Sequence, residues 1–146
     1  MKLSHVPLRF VTGAYILHAG IEKWNGDELK AKAVHDVASG AYPVFESMPP
    51  ARFLRLLAAG EIATGAALLS PTVSTAKAGA ALTGFSGALV GLYANTPAMR
   101  KEGSPWPTPQ GTAVSKDTWL LAIGLALLVD GLTTGLTGRR RAKRAD

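Results

Sequence analysis

Four long apolar segments, separated by polar stretches, dominate the pattern of the chain: 6–22, 53–69, 76–94 and 118–136. As helices rising 1.5 Å per residue, each would extend about 25–30 Å, close to the thickness of a bilayer's hydrocarbon core. A surface helix of a soluble bundle carries a polar stripe. The stretch 119–132 contains a single charged residue, Asp130, and 78–90 contains none. The pattern predicts an all-α polytopic membrane protein, a four-transmembrane-helix bundle; a soluble alanine-rich bundle is the alternative.

The two longer connections predict different structures. In the first, Leu29, Ala33 and Val37 recur at helical spacing beside charged neighbours, which predicts a short amphipathic helix in the first outer loop, lying along the membrane surface. The second connection, 95–117, holds four prolines and predicts irregular structure. Its Trp106 fits an outer aromatic belt, with a ligand lid as the alternative. One domain, 1–138, is followed by a basic tail, 139–146.

Small residues repeat at every fourth position of the third segment. Such spacing lets membrane helices approach closely, because lipid tails provide no hydrophobic drive for helix association. The helix-packing positions are Gly79, Thr83, Gly87 and Gly91. They predict a continuous groove on which another helix packs.

Charge and composition exclude several classes of function. Of the formal net charge of +6 on 146 residues, +4 lies in the last eight residues, so no basic surface for nucleic acid is indicated. The chain has no cysteine and three histidines, which excludes thiol chemistry and makes a metal site or covalent cofactor unexpected. Because the basic cluster follows the fourth span directly, both termini are predicted to be cytoplasmic.

Three ionisable residues interrupt the predicted spans: Arg9, Glu61 and Asp130. A charge at bilayer depth persists only when it is paired or hydrated. Counted from the cytoplasmic ends of their helices, the three lie roughly 6 to 12 Å deep, which predicts one buried polar cluster. One arginine cannot neutralise two carboxylates, so the cluster would suit proton uptake linked to quinone chemistry.

A purely structural interpretation of the same residues stays open. In it, the pair of Arg9 with Glu61 only holds the bundle together. Asp130 then reaches the surface or bonds to Thr133 or Thr134. The two interpretations differ in whether a ligand or proton uses the cluster.

Several stretches of the chain resemble the DoxX family of small bacterial membrane proteins. They are an arginine early in the first span, AGIEKW at its end, AAGEIATGAALL in the second span, PTPQGTAVSKDTWLL before the fourth, and LLVDG within it. The resemblance covers about residues 5 to 136. It implies a four-helix bundle in the bacterial inner (plasma) membrane, serving as a subunit of a quinone-linked oxidoreductase or redox-stress complex. The polar positions it implies are Arg9, Glu22, Lys23, Glu61, Lys116, Asp117 and Asp130.

Three functions are therefore carried forward. The first is the quinone-linked membrane subunit, with quinone or lipid bound at the polar cluster and a partner supplying the electron carrier. The second is a non-catalytic scaffold in a larger membrane complex, and the third is a binder or carrier of a small hydrophobic molecule. The expected partners are the lipid bilayer and either other membrane subunits or further copies of the chain.

The predicted topology is open to a direct test, because the chain has no native cysteine. With both termini cytoplasmic, Ser104 lies outside the membrane, so a Ser104→Cys variant should react with a membrane-impermeant maleimide added to intact cells. Labelling of that cysteine only after the cytoplasmic face is exposed would reverse the orientation.

Overall fold

In the computed structural model, the chain is described over residues 2–142, with side chains over 2–134. Helices make up most of it, and across residues 2–142 the only strand-like pairing is an isolated bridge between Arg100 and Pro107. The all-α class is thereby confirmed. The helices are α1 (His5–Trp24), α2 (Glu28–Ala41), α3 (Pro50–Leu69), α4 (Thr75–Asn95), α5 (Thr112–Ser115) and α6 (Asp117–Ala142), with 3-10 turns at Pro43–Phe45 and Pro97–Met99.

The four predicted apolar segments correspond to α1, α3, α4 and α6. Among the described helices, one stretch is long and apolar enough to cross a membrane, Thr112–Thr134, which contains most of α6. The other long helices contain charged residues or many glycines, alanines and hydroxyl side chains, which lower their mean hydropathy. The side chains of the basic tail, 139–146, lie outside the described residues.

The long helices form two closely packed pairs, α1 with α3 and α4 with α6. The pairs meet chiefly where α3 faces α4. Side chains from both pairs form the buried core: Ile16, Leu68, Ala78, Leu82 and Leu127. We call the end of the bundle where α1 begins the near end, and the end where α1 finishes the far end.

Glycine sets the distance between the helices of each pair. A Cβ atom added at Gly65 of α3 would lie 2.7 Å from the backbone nitrogen of Leu17 in α1. One added at Gly79 of α4 would collide with the backbone of Leu128 in α6. In both pairs only a glycine allows the backbones to come this close.

The predicted groove on α4 is correct in its first half and wrong in its second. Gly79 and Thr83 face α6, where Thr83 lies against Gly124. Gly87 has no neighbour within 4 Å of where its Cβ would be, and Gly91 faces the hydroxyl of Tyr42 rather than a long helix. The stripe divides because the close backbone contacts with α6 that involve glycine end near Thr83, in the near half of α4.

Helix α2 exists as predicted, but its most buried residues are not those of the predicted apolar face. The Asp27 carboxylate accepts from the Lys30 amide at 2.8 Å and caps its N-terminus. Its buried residues are Ala31, His35, Ala38 and Ala41. Leu29 of the predicted apolar face is 81% exposed. The helix packs on α3 and α4, so its small face, not its largest side chains, is the one in contact.

The proline-rich connection is more ordered than predicted. The Lys101 amide donates to Trp106 O at 2.9 Å, and the Thr108 amide donates to Met99 O at 3.0 Å. Gly103 occupies the turn with a positive φ of 64°, a conformation that favours glycine. The Tyr93 hydroxyl donates to Pro105 O at 2.6 Å and fastens this turn to α4.

The Arg9 side chain caps the C-terminus of α3. It is 3% exposed, and its guanidinium donates to four backbone carbonyls at 2.7 to 3.1 Å. The last carbonyls of a helix have no partner within the helix, and the negative end of the helix dipole favours a cation there. The four acceptors belong to Ala67, Leu68, Ser70 and Val73.

The predicted pairing of Arg9 with Glu61 is therefore wrong, and the offset between α1 and α3 explains why. Gly20 lies against Glu61, and Gly13 lies against Leu68. Arg9 is about one turn before Gly13, which places it past the end of α3 and several turns from Glu61. Depth counted separately along each helix missed this offset.

Two glycines on α4 provide a matched test of the packing. Gly79→Ala should lower the free energy of unfolding by about 1–3 kcal/mol, because the methyl group meets backbone atoms that cannot move aside. Gly87→Ala should be neutral or stabilising by up to about 1 kcal/mol, because alanine favours helix and the position is open. Thermal unfolding followed by circular dichroism measures both. Equal melting temperatures for the two variants would contradict the α4–α6 contact.

The capping role of Arg9 predicts a large effect from Arg9→Met. Four carbonyls then lose a charged donor, and we expect a loss of about 3 kcal/mol or more in unfolding free energy. Arg55→Met, at an exposed arginine of α3, is the control and should have little effect. Combining Arg9→Met with Glu61→Gln should give additive losses, since the residues belong to separate networks. A large coupling energy between the two substitutions would instead indicate that Arg9 and Glu61 interact directly.

Candidate functional site: an apolar cavity with a buried carboxylate

A cavity of about 730 Å³ lies in the far half of the bundle, between the two helix pairs and beneath α2. Its size is that of a pocket for a drug-sized molecule. Most of the described side chains around it are apolar or aromatic; those contributed by the long helices include Ile16, Phe53, Leu57, Phe85, Leu89 and Leu120. The polar exceptions with a charge are Lys23, Glu61 and Asp117.

Lys23 and Glu61 form an ion pair in the wall of the cavity. The Lys23 ammonium donates to Glu61 Oε1 at 2.8 Å, and the Glu61 side chain is 8% exposed. The glutamate lies level with Gly20, so the lysine one turn later on α1 reaches back to it. The second carboxylate oxygen, Glu61 Oε2, is buried and has no hydrogen-bond partner. A buried acceptor without a donor is destabilising and marks a place for a missing partner.

Asp117, the first residue of α6, adds a second carboxyl near this pair. It lines the cavity and lies close enough to Glu61 for the two negative charges to interact. Lys23 interacts favourably with both carboxyls. Lys30 on α2 also contributes to the potential at Glu61, but its side chain faces solvent. Two carboxyls thus share one ammonium at the cavity wall.

Aromatic side chains around α2 pack together on the far side of the cavity. The His35 and Phe53 rings are 5.6 Å apart edge to face, and Phe45 and Phe53 are 5.0 Å apart. His35 Nε2 lies 2.9 Å from Phe45 O, which holds the 3-10 turn after α2. The Tyr42 hydroxyl donates to Ala88 O at 2.8 Å and binds this cover to α4. The cover is made of α2 and the 3-10 turn after it, residues 28–45.

The third member of the predicted cluster, Asp130, lies at the near end and has other partners. It forms an ion pair with Lys2, and His5 Nε2 lies 3.0 Å from Asp130 Oδ2. These contacts join the start of α1 to α6. Arg9, Glu61 and Asp130 therefore belong to three separate networks, and the single predicted cluster is not formed.

The positions implied by the family resemblance divide in a different way. Lys23 and Asp117 lie at the cavity with Glu61. Glu22 and Lys116 are exposed, and Glu22 lies 3.9 Å from His18 on the outside of α1. Adjacent residues on a helix point about 100° apart, so Glu22 of α1 faces outward where Lys23 faces the cavity.

Two features of the sequence point to cavity residues that the cluster prediction did not include. Lys23 directly follows the first apolar segment, and α3 is long enough for Glu61 to lie opposite the last turn of α1. Tyr42 and Phe45 of the first connection and Phe53 at the start of the second apolar segment lie within twelve positions of one another, a local enrichment in a chain with 7% aromatic residues. Their apolar surface indicates packing rather than an open loop.

No group of three histidine or acidic side chains that could hold a metal ion occurs among the described residues. The charged groups at the cavity are two carboxyls and one ammonium. Together they can accept hydrogen bonds, exchange protons and attract a positive charge.

Comparison with known proteins adds no relative. No family model matches the chain, and no curated protein and no solved structure matches it. The resemblance to the DoxX family stays a prediction, and the function rests on the cavity and its charges.

Proposed function

We propose that this protein is a membrane-integral helical bundle that binds one small, mostly apolar molecule in the cavity, with the polar end of the molecule at Glu61. The observation that carries the proposal is the buried, unpartnered Oε2 of Glu61 in the wall of an apolar cavity of about 730 Å³. A ligand donor at that oxygen would remove the energetic penalty of leaving it bare.

The outer surface of the bundle supports the membrane part of the proposal. Large apolar side chains that are more than half exposed and lie outside the cavity occur on α1 and α6, among them Phe10, Val11, Val129 and Leu132. Water would oppose such exposure, whereas lipid favours it. Trp24, Trp106 and Trp119 are also exposed and lie at the far end, as in an aromatic belt.

The proposal includes four membrane spans, a location in the inner membrane, and both termini in the cytoplasm. The Lys2–Asp130 and Arg9 contacts then lie on the cytoplasmic side, and the cavity lies in the outer half of the bilayer. Its cover, residues 28–45, would separate the cavity from the outer solution.

Association with a quinone-linked oxidoreductase is the second candidate, favoured by the pair of carboxyls. A quinol hydroxyl could donate to Glu61 Oε2, and a quinone carbonyl could accept from Lys23. Oxidation of a quinol releases two protons and two electrons; Glu61 and Asp117 could take protons, and a partner subunit would have to accept the electrons. A scaffold role has less support, because the Gly79 half of the small-residue stripe already packs against α6 within the chain.

A cavity-filling variant tests the binding proposal. Ala19→Phe places a ring in the cavity, and we expect it to weaken binding of 2-(1-naphthyl)ethanol by roughly tenfold or more, since little room for the naphthyl group would remain. Ala59→Phe is the matched control, because Ala59 lies in an external groove between α1 and α3. Native mass spectrometry from nanodiscs counts the bound molecules. Absence of specific binding to the parent, or an equal effect of both variants, would contradict the proposal.

A further inference from the structure

The charged groups that line the cavity do not balance. Among the described residues of its wall, Glu61 and Asp117 are acidic, and Lys23 is the one basic residue. The remaining lining side chains carry no charge. With both carboxyls ionised, the wall therefore holds one surplus negative charge.

Charges on neighbouring elements do little to compensate for this surplus. Lys30 of α2 and Lys116, just before α6, are exposed, so solvent and salt screen them. Glu22 of α1 is acidic and points outward. A surplus charge in an apolar site is unfavourable, and either a proton or a bound cation can neutralise it.

The geometry at Glu61 favours some polar ligand groups over others. Oε2 is an acceptor without a donor, whereas Oε1 already accepts from Lys23. A hydroxyl group supplies a donor without a charge, and a quaternary ammonium supplies a charge without a donor. A protonated amine supplies both at one atom.

The remaining wall suits the apolar part of such a molecule. Five of the lining side chains are aromatic: Tyr15, Tyr42, Phe45, Phe53 and Phe85. Aromatic rings bury large apolar areas, and their faces attract cations. The cavity thus combines an apolar, aromatic body with one anionic end.

We propose that the cavity selects lipophilic primary or secondary amines in their protonated form, with the ammonium on Glu61 Oε2, in competition with a proton for the two carboxyls. This inference rests on the proposed binding function and names its ligand class. The ammonium and the proton then compete for the same carboxyls. At a pH where the empty site holds a proton, amine binding releases that proton.

Two probes of the same shape test the selection. 2-(1-Naphthyl)ethylamine is a cation at neutral pH, and 2-(1-naphthyl)ethanol replaces its ammonium by a hydroxyl. The full chain in nanodiscs of zwitterionic lipid should bind the amine roughly tenfold or more tightly than the alcohol, after subtraction of binding to empty nanodiscs. Lowering the pH from about 8 to about 5 should weaken amine binding and leave alcohol binding unchanged, because protons neutralise the carboxyls.

Substitutions locate the preference. Glu61→Gln keeps the shape of the side chain and removes its charge, so the amine-to-alcohol ratio should fall to about one. Asp117→Asn should reduce the ratio less, because Asp117 contributes only charge, whereas Glu61 also provides the acceptor without a donor. Glu22→Gln makes the same change at an exposed glutamate of α1 and should leave the ratio unchanged.

The outcomes separate this inference from the proposed function. Equal binding of both probes to the parent, with loss of both in Ala19→Phe, would leave the binding function standing and overturn amine selection. A ratio that persists in Glu61→Gln would also overturn it. Failure of both probes to bind would count against the binding function itself. The pH profile of the parent needs no variant, so the test does not depend on how a variant folds.

Discussion

Close contact between helix backbones at glycine is the constraint on which the structure depends. Gly65 lets α3 meet α1, and Gly79 lets α4 meet α6, at distances that no larger side chain permits. The contact between α1 and α3 fixes their relative register, with Gly20 beside Glu61. Register in turn decides which polar groups meet: Lys23 reaches Glu61, and Arg9 reaches only the end of α3.

The same packing leaves space where the pairs diverge. The most extensive contacts lie within each pair, while the two pairs meet mainly through α3 and α4. The far half of the bundle therefore encloses a cavity, and α2 with its aromatic residues covers it. A glutamate at this point has one oxygen paired with Lys23 and one buried oxygen that lacks a hydrogen-bond partner. The unusual polarity of the site follows from the register of two helices.

Hydrophobic patterning predicted the helices themselves, because apolar segments of this length and composition form helices in either solvent. It also identified Gly79 and Thr83 as packing residues, and Glu61 as a buried acid. It could not predict partners for Arg9 or Asp130, since those depend on the offset between helices and not on position within one helix. The inward face of α2 was also missed: Leu29 dominates its apolar pattern, yet the small side chains Ala31 and Ala38 allow the closer contact.

A small molecule that binds in the cavity with its polar end at Glu61 has an orientation that can be measured directly. Nuclear Overhauser effects between 2-(1-naphthyl)ethylamine and the isotope-labelled chain in nanodiscs report which protons are neighbours. We expect contacts from the ethyl chain to the Lys23 side chain, and from the naphthyl ring to Leu57 and Phe85. Contacts confined to Ile62 and Ala63, which line the external groove between α1 and α3, would contradict it.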